Sequence, residues 1–272
     1  MMKPKISIIT VCLNSEKTIR TTLESVLNQT YKNYEYIVKD GGSQDNTVKI
    51  IEEYVQKFDG RLRLIQSADA GIYDAMNIGI QQCSGEIIGI INSDDYYSLN
   101  TLELVAREYS RAANPRIVII GDMERVTKAG TPVVRYHFNY NMIDKKQCFG
   151  HPSMFVGKKV YDEVGLYDIT YKLAADGEWQ YRALEDSRVR FLLIDQVLNH
   201  MREGGASDNP KLRWKWFSER TQMRIKHKKA SRAIIYLQEF GKVITTDAKA
   251  ILPEKIKNKL YMIKYNGMTV EK

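Results

Sequence analysis

The chain has 272 residues, of which 43% are hydrophobic and 27% charged, and its formal net charge at pH 7 is +8. Such a composition is ordinary for a globular protein and sufficient for one large domain, or one domain with an appendage. No stretch approaches the roughly 20 apolar residues of a membrane-spanning helix. The excess positive charge is local, because nine of the 22 residues from Lys211 to Arg232 are Lys or Arg and Glu219 is the one acid among them.

The cysteines and the N-terminus indicate where the protein works. Cys12, Cys83 and Cys148 are an odd number at no metal-ligand spacing, which favours a reducing compartment over a disulfide framework. A short apolar run follows Lys3 and Lys5 without the small-residue cleavage site of a secretory signal. We therefore expect a cytoplasmic protein, located in the cytoplasm or at the cytoplasmic face of the membrane.

The first half of the chain alternates between predicted strands and helices. The strands are apolar, β-branched runs, and the helices place apolar residues three and four positions apart. In chain order these elements are a strand at 5–13, a helix at 14–28, a strand at 34–39, a helix at 47–58, a strand at 62–67, a helix at 72–83 and a strand at 86–91. Alternation with short loops predicts an α/β fold, with an open, mostly parallel, Rossmann-like sheet flanked by helices.

The second half is less regular. Residues 116–126 and 132–138 flank the turn sequence TKAGT and predict an antiparallel hairpin. A helix is predicted at 174–186, and a strand at 189–200 leads into a Gly-rich loop. The remainder, 211–272, is predicted to be helical and basic, with a break at Pro253.

Acidic residues follow the carboxyl ends of several predicted strands. Asp40, Asp69, Asp94 and Asp95 all occupy such positions, and ligands of open α/β sheets bind beyond that edge. Asp94 and Asp95 end the apolar run EIIGIINS, where two adjacent like charges repel unless a cation lies between them. The residues alone leave two interpretations open, a metal site and a cap for a helix beginning near Leu99.

Several segments, in this order, resemble the family 2 glycosyltransferases, which have the GT-A fold. The segments are SIITVCLNSEKTIRTTLESVLNQTYKNYEYIVKDGGSQDNT, SADAGIYDAMNIGI, SGEIIGIINSDDYY, GHPSMFV, VGLYD and AADGEWQYRA. The resemblance implies a GT-A glycosyltransferase domain over residues 1–205, followed by a basic helical extension over 206–272. It also implies transfer of a sugar, with inversion, from a nucleotide diphosphate sugar, usually a UDP-sugar. The subgroup is rich in bacterial enzymes that build surface polysaccharides, so a glycan or lipid-linked acceptor is expected.

The resemblance assigns the chemistry to three acids. Asp95 is expected to bind a divalent cation, Mn²⁺ or Mg²⁺, with Asp94 on the metal or the donor, because hard cations prefer carboxylate oxygens and neutralise a departing diphosphate. Asn92 stands where many relatives have another acid. Asp176 is expected to be the base that removes the proton of the acceptor hydroxyl. Glu178 is the second candidate for that role, and a helix N-cap is the structural alternative for Asp176.

The remaining predicted site residues contact the nucleotide sugar. Asp40 is expected to accept the N–H of uracil, with Gly41 and Gly42 letting the base approach the backbone. Arg202 precedes the Gly-rich loop and offers a fork of donors to a diphosphate. The other predicted contacts are Thr10, Asn14, Asp69, Asp74, Asn77 and His151.

Structural roles remain open for three of these residues. Asn14 could cap the first helix, and Asp74 could be an acid favoured at a helix N-terminus by the macrodipole. His151 could be a satisfied structural histidine. At the level of the whole protein, the alternative is a non-catalytic nucleotide-sugar-binding or scaffold protein of the same fold, which would bind nucleotide without turnover.

The basic C-terminal part carries aromatic residues among its positive charges. In KLRWKWFSERTQMRIKHKKASR, Trp214, Trp216 and Phe217 are of the types enriched at membrane interfaces, and Lys and Arg favour anionic surfaces. Peripheral membrane contact and packing against the catalytic domain or a partner subunit are both open, as is homo-oligomerisation. Nucleic acid is not expected as a partner, because no nucleic-acid-binding module accompanies the charge.

Overall fold

The computed structural model describes residues 3–144, 149–205, 209–227 and 231–250. Cys148, Pro253 and part of the predicted extension lie outside these residues. The strands are β1 (Ile6–Cys12), β2 (Tyr34–Asp40), β3 (Leu62–Gln66), β4 (Ile87–Ile90), β5 (Tyr96–Tyr97), β6 (Ile117–Val126), β7 (Pro132–Tyr136), β8 (Met154–Gly157) and β9 (Arg190–Arg202). The helices are α1 (Ile19–Leu27), α2 (Thr47–Val55), α3 (Ile72–Gln81), α4 (Thr101–Ala112), α5 (Tyr140–Asp144), α6 (Lys158–Val164), α7 (Ala175–Glu185), α8 (Arg213–His227) and α9 (Arg232–Ala250).

The strands form one mixed sheet in the order β3-β2-β1-β4-β8-β6-β9-β5, with β7 paired to β6. β1 to β4 are parallel neighbours, and β8 runs antiparallel to both β4 and β6. Because β8 is antiparallel to both neighbours, β6 runs in the same direction as the first four strands. β9 is parallel to β6 and shares that direction. The predicted α/β sheet and the β6–β7 hairpin are both confirmed.

The sheet is covered by helices on both faces, which explains why β1 is apolar throughout. Ile6 and Ile8 of β1 belong to the core cluster that includes side chains of α1, α2 and α4. Ile9 and Val11 point the other way, into a cluster that includes side chains of α3, α6 and α7. A strand buried on both faces has no polar side, so its sequence shows a continuous apolar run instead of alternation.

The first helix begins later than the sequence predicts. α1 starts at Ile19, with Thr18 at its N-cap, so the expectation that Asn14 caps it is wrong. Asn14 instead adopts a left-handed conformation, with φ of 53°, and its side-chain oxygen accepts the backbone N–H of Gln44. The residue therefore joins the loop after β1 to the loop after β2, at the edge where the predicted ligand lies.

α8, from the predicted extension, is docked on the first turn of α7. The carboxylate of Glu219 is buried and accepts the backbone N–H groups of Lys172 (3.0 Å), Leu173 (2.7 Å) and Ala174 (3.1 Å). These donors immediately precede α7, where backbone N–H groups lack partners within the helix. A side chain of α8 thus provides the hydrogen-bond acceptor for the backbone N–H groups of the segment that leads into α7.

The helices of the described residues include none with the length and apolar character of a membrane-spanning segment.

We predict that Glu219→Ala lowers the free energy of unfolding by at least ~2 kcal/mol, because three backbone N–H donors, of which that of Ala174 is buried, lose a charged acceptor. The measurement is urea unfolding followed by circular dichroism. Glu52→Ala is the matched control, because Glu52 lies exposed on α2 and its loss should cost less than about 0.5 kcal/mol. Equal stability of the two variants would contradict the docking role of Glu219.

Candidate active site

The two adjacent aspartates lie between β4 and β5, where the end of β9 holds them. β5 pairs with β9 so that Tyr96 lies opposite His200. Asp95 is only 1% exposed. It accepts the backbone N–H of Arg202 at 3.0 Å and the side-chain N–H of Asn92 at 3.2 Å. The position of the acid pair therefore depends on a strand that begins about a hundred residues later in the chain.

The electrostatics of this pair are unfavourable without a cation. Burial, and then the neighbouring charge of Asp94, raise the pKa of Asp95 to about 8. Burial also raises the pKa of Asp94, although Arg202 and His151 act in the opposite direction. The side-chain oxygen of Asn92 is buried and accepts no hydrogen bond from the described residues. Two carboxylates and a spare amide oxygen fit a hard divalent cation such as Mg²⁺ or Mn²⁺.

Asp176 is the second residue of α7, and its two carboxylate oxygens face different partners. Oδ1 accepts a hydrogen bond from the hydroxyl of Tyr73 at 2.8 Å. Oδ2 lies 3.8 Å from Nδ1 of His151, and about a quarter of the side chain is exposed. The N-cap of α7 is Ala174 and not Asp176, so the capping interpretation of Asp176 is wrong.

His151 connects the aspartate pair with Asp176. Burial lowers the pKa of its imidazole, and the charges of Asp176 and then Asp94 act to raise it. Both acids are therefore close enough to His151 to influence it. Its Nε2 is buried and has no hydrogen-bond partner among the described residues. The geometry brings Asp94, Asp95, His151 and Asp176 into one site.

Arg202 lies at the edge of the same site. Its guanidinium group stands over the ring of Tyr96, 5.4 Å from the centroid, and the other ring partner of Tyr96 is the stacked imidazole of His200 at 4.6 Å. The charge of Arg202 opposes the rise that burial causes in the pKa of both Asp94 and Asp95. Its Nε is buried without a partner in the part of the chain that the structure describes. A donor group beside the acids suits an anionic ligand.

Glu178 faces away from this site. It is fully buried and bonded to Arg182 and Lys226, at 2.9 and 2.8 Å, and to His227. Burial alone would raise the pKa of Glu178, but Lys226 and Arg182 outweigh it and the pKa lies below its ordinary value. The residue anchors α8 on α7, which leaves Asp176 as the half-buried acid that faces His151.

Asp40 does not present its carboxylate to a ligand as the sequence predicts. The residue is 1% exposed, and its Oδ2 accepts the backbone N–H groups of Gly42 and Ser43, both at 2.9 Å. Oδ1 accepts the hydroxyl of Ser43 and a contact from the thiol of Cys12. The carboxylate thus closes the turn of its own loop. In this arrangement, uracil finds no free oxygen on Asp40.

Asp69 takes the place beside that loop. Its Oδ2 lies 2.8 Å from Nζ of Lys39, a fully buried lysine that also donates to two backbone carbonyl groups. Its Oδ1 accepts the N–H of Gly71 at 3.1 Å. A Cβ at position 41 would come within 2.8 Å of Asp69, so this contact requires the glycine that is there. Lys39 was not among the predicted site residues, although it directly precedes the predicted residue Asp40.

Three other predicted contacts have structural partners. The hydroxyl of Thr10 is buried on the hydroxyl of Tyr36 at 2.8 Å. The amide of Asn77 donates to the carbonyl of Tyr167 and accepts its N–H, at 2.9 and 3.0 Å. Asp74 accepts the N–H of Ala70 at 2.8 Å, the helix-terminal role left open above. The polar side-chain atoms of Thr10 and Asn77 are therefore already used within the protein, which favours structural roles over contacts with the nucleotide sugar.

A cavity of about 260 Å³ adjoins the site at the N-terminus of α3. Tyr73, whose hydroxyl bonds to Asp176, contributes to its wall, and so does Lys215 of α8. The other lining residues are Ala70, Gly71, Ile72, Asp74, Ile169, Tyr171 and Lys172. Sequence reasoning missed Tyr73 and Glu219. The first lies inside a recognised motif, and the second was conspicuous as the lone acid of the basic stretch.

A second group of possible metal ligands lies elsewhere, between β6, β7 and β9. One ligand atom each of Asp122, His137 and Asp195 lie within 4.8 Å of one another. Arg135 already bonds to both acids, with N–O distances of 2.6 Å to Asp122 and 2.9 Å to Asp195. A guanidinium group that neutralises both carboxylates makes this group less suited to a cation than the Asp94–Asp95 pair.

Comparisons with known proteins agree with the fold. Residues 7–165 match the family model described as Glycosyl transferase family 2. A PGL/p-HBAD biosynthesis glycosyltransferase of Mycobacterium tuberculosis is 26% identical over 210 residues, which cover 77% of this chain and 81% of that protein. Among solved structures, TarS 1–349 of S. aureus in complex with UDP-GlcNAc has a TM-score of 0.68 at 20% identity, covering 92% of this chain and 77% of that one.

A mannosyltransferase from Pyrobaculum calidifontis, solved with GDP-Man and Mn²⁺, has a TM-score of 0.63 at 14% identity. The match covers 99% of this chain and 77% of that one. At these identities the structural likenesses show the fold alone, and they confirm the predicted GT-A architecture.

We predict that Asp95→Asn raises the melting temperature in EDTA at pH 8 by about 2 °C or more. Because folding raises the pKa of Asp95, the stability that it contributes is complete below its unfolded-state pKa and is lost as pH rises through about 8. The amide removes that charge, and Asn92 can turn towards it the side-chain oxygen that has no partner in the described part of the chain. The same substitution should abolish the rise in melting temperature that Mn²⁺ or Mg²⁺ gives the wild type.

Differential scanning fluorimetry with EDTA, Mg²⁺ and Mn²⁺ measures both effects. Asp162→Asn, on an exposed acid of α6, is the control and should behave as the wild type. A wild type that neither cation stabilises, or an Asp95→Asn variant stabilised as much as the wild type, would contradict a metal site at the aspartate pair.

Proposed function

The chain belongs to glycosyl transferase family 2, and on that premise we propose that it is a metal-dependent, inverting glycosyltransferase. The proposed donor is a UDP-sugar, and the proposed acceptor is a hydroxyl of a glycan or lipid-linked sugar. The observation that carries this proposal is the meeting of Asp94, Asp95, His151 and Asp176 in one site. We propose that the reaction takes place in the cytoplasm or at the cytoplasmic face of the membrane.

The donor assignment draws on the relatives. TarS is solved with UDP-GlcNAc and the Pyrobaculum mannosyltransferase with GDP-Man and Mn²⁺, which supports a nucleotide diphosphate sugar and a divalent cation here. For this chain, the predicted base contact at Asp40 needs revision, because its carboxylate is used by its own turn. Asp69, half-buried beside Gly41, remains the better placed acid for the nucleotide.

The diphosphate end of the donor lies, in this proposal, between the aspartate pair and Arg202. Asp94 and Asp95 would hold Mn²⁺ or Mg²⁺, which when bound supplies positive charge to the leaving diphosphate. Arg202 adds donors from the other side, and its buried Nε, which has no partner among the described residues, is available for a phosphate oxygen. The buried like charges of the pair thereby gain the counter-charge that they lack.

Asp176 is the proposed base. One carboxylate oxygen takes the proton of the acceptor hydroxyl while that oxygen forms a bond to the anomeric carbon. The bond from the anomeric carbon to the diphosphate breaks, and its electron pair leaves with the diphosphate on the opposite face, so the configuration inverts. Tyr73 occupies Oδ1 with its hydroxyl, which leaves Oδ2, the oxygen towards His151, to receive the proton.

His151 is proposed to orient a substrate hydroxyl. Burial keeps the pKa of its imidazole below the ordinary value, which favours the neutral ring near pH 7. A neutral ring can accept or donate through Nε2, the buried nitrogen without a partner among the described residues. The residue would then hold the reacting sugar between the aspartate pair and the base.

We predict that Asp176→Asn lowers kcat by a factor of about 10² or more, because the amide cannot accept the acceptor proton. Donor binding should stay within a factor of about two, since Asp176 does not hold the diphosphate in this proposal. Tyr73→Phe should lower kcat by a smaller factor, about tenfold, because the carboxylate remains but loses the bond that orients it.

The measurements are UDP release for turnover and isothermal titration for donor binding. Tyr161→Phe is the control for Tyr73→Phe, because its buried hydroxyl bonds to Tyr167 and makes no contact with Asp176. Full turnover by the Asp176→Asn variant would exclude Asp176 as the base. Nucleotide binding without turnover by the wild type, across donors and acceptors, would favour the non-catalytic alternative.

A further inference from the structure

The aromatic residues of α8 face two different neighbours. Trp216 packs beside the small cluster that joins α7 to α8, which includes Ala174, Tyr181 and Met223. Trp214 and Phe217 contact α9 instead, with ring centroids 6.3 Å from Phe240 in both cases. Packing on the catalytic core therefore accounts for Trp216, and the other two aromatic side chains belong to the α8–α9 pair.

α9 exposes several of its large apolar side chains. Among the side chains of α9 that the structure describes, the buried ones are Ile235, Glu239 and Val243, four residues apart, and they include an acid. Glu239 is bonded there to Arg220 and Arg224. The exposed large apolar residues of the helix are Ile234, Tyr236, Leu237 and Phe240.

A surface helix usually buries its large apolar side chains, whereas these four side chains of α9 stay exposed although Ile235 and Val243 are buried. Leu237, the most exposed of these side chains, is 72% accessible. Ile234 and Phe240 lie three residues before and after it and share its side of the helix. We name Ile234, Tyr236, Leu237, Phe240 and the adjoining, half-exposed Trp214 the apolar face of α9. A contiguous exposed apolar patch marks a contact surface.

The charges around the apolar face are positive. Among the described side chains of α8 and α9, the acids are Glu219 and Glu239, and both are buried and bonded. Lys211, Lys215 and Arg232 are exposed. A second copy of this chain would bring the same positive charges against them, which disfavours a symmetric dimer through this face.

We propose that the apolar face of α9 docks on an anionic lipid bilayer, with α9 lying in the interface. Leu237, Ile234 and Phe240 enter the acyl boundary, and Trp214 and Tyr236 lie at the level of the headgroups, where such rings are enriched. Lys211, Lys215 and Arg232 contact the lipid phosphates and anionic headgroups. Nucleic acid would match the charges, but it offers nothing to cover Leu237 and Ile234.

This docking is independent of the proposed chemistry, because it involves neither the aspartate pair nor Asp176. The docking does orient the site, because Glu219 of α8 accepts the backbone N–H groups of the segment that leads into α7. A membrane-bound α9 would therefore keep the N-terminus of α7 at a fixed distance from the lipid surface.

The test is co-sedimentation of the full chain with vesicles of phosphatidylcholine, with and without phosphatidylserine. We expect binding to the anionic vesicles that weakens as salt rises. Leu237→Gln should weaken it about tenfold, because a leucine side chain no longer leaves water. Leu99→Gln is the matched control, since Leu99 is also largely exposed but lies before α4. Lys215→Gln should weaken binding about fivefold.

Failure of the wild type to bind anionic vesicles would overturn the proposal, and so would equal binding by Leu237→Gln and Leu99→Gln. Sedimentation equilibrium without lipid detects the alternative occupant. A dimer that Leu237→Gln dissociates, with no vesicle binding, would assign the apolar face of α9 to a second copy. Circular dichroism confirms that each variant is folded before it is compared.

Discussion

Two adjacent carboxylates in a place where little water reaches are the constraint on which the site depends. Desolvation disfavours each charge of Asp94 and Asp95, and each disfavours the other, so the pKa of Asp95 rises to about 8. The fold nevertheless holds the pair in position through the β5–β9 pairing and the backbone N–H of Arg202. Without a cation, the Asp94–Asp95 pair lowers the stability of the fold. It becomes favourable when a divalent cation and an anionic ligand bind, and in this respect a functional site differs from a core.

The second half of the site is assembled from three helices that are distant in the chain. α7 carries Asp176, α3 supplies the hydroxyl of Tyr73 to one of its oxygens, and α8 satisfies the N–H groups before α7 through Glu219. The predicted extension is thus part of what positions the proposed base. The next helix, α9, has a different character, because it buries an acid and exposes Ile234, Tyr236, Leu237 and Phe240. The basic, aromatic segment therefore combines packing on the core with an open contact surface.

The fold and the acid cluster could be predicted because both depend on local sequence patterns. Apolar runs and helical periodicity identify strands and helices, and the parallel strands bring Asp94 and Asp95 to one edge of the sheet. The partners of individual polar atoms were not predictable in the same way. Asn77 is satisfied by Tyr167, ninety residues later, and the carboxylate of Asp40 turns into its own loop while Asp69 stays beside it. Which acid faces a ligand is decided by loop geometry and distant contacts, and these leave no periodic signal in the sequence.

The measurement that tests the central claim most directly is UDP release from a panel of UDP-sugars, each with Mn²⁺, with Mg²⁺ and with EDTA. The account predicts that at least one UDP-sugar is turned over with a divalent cation and that EDTA abolishes the release. Release that is unchanged in EDTA would contradict the role given to Asp94 and Asp95. Absence of UDP binding with every cation would contradict the choice of nucleotide.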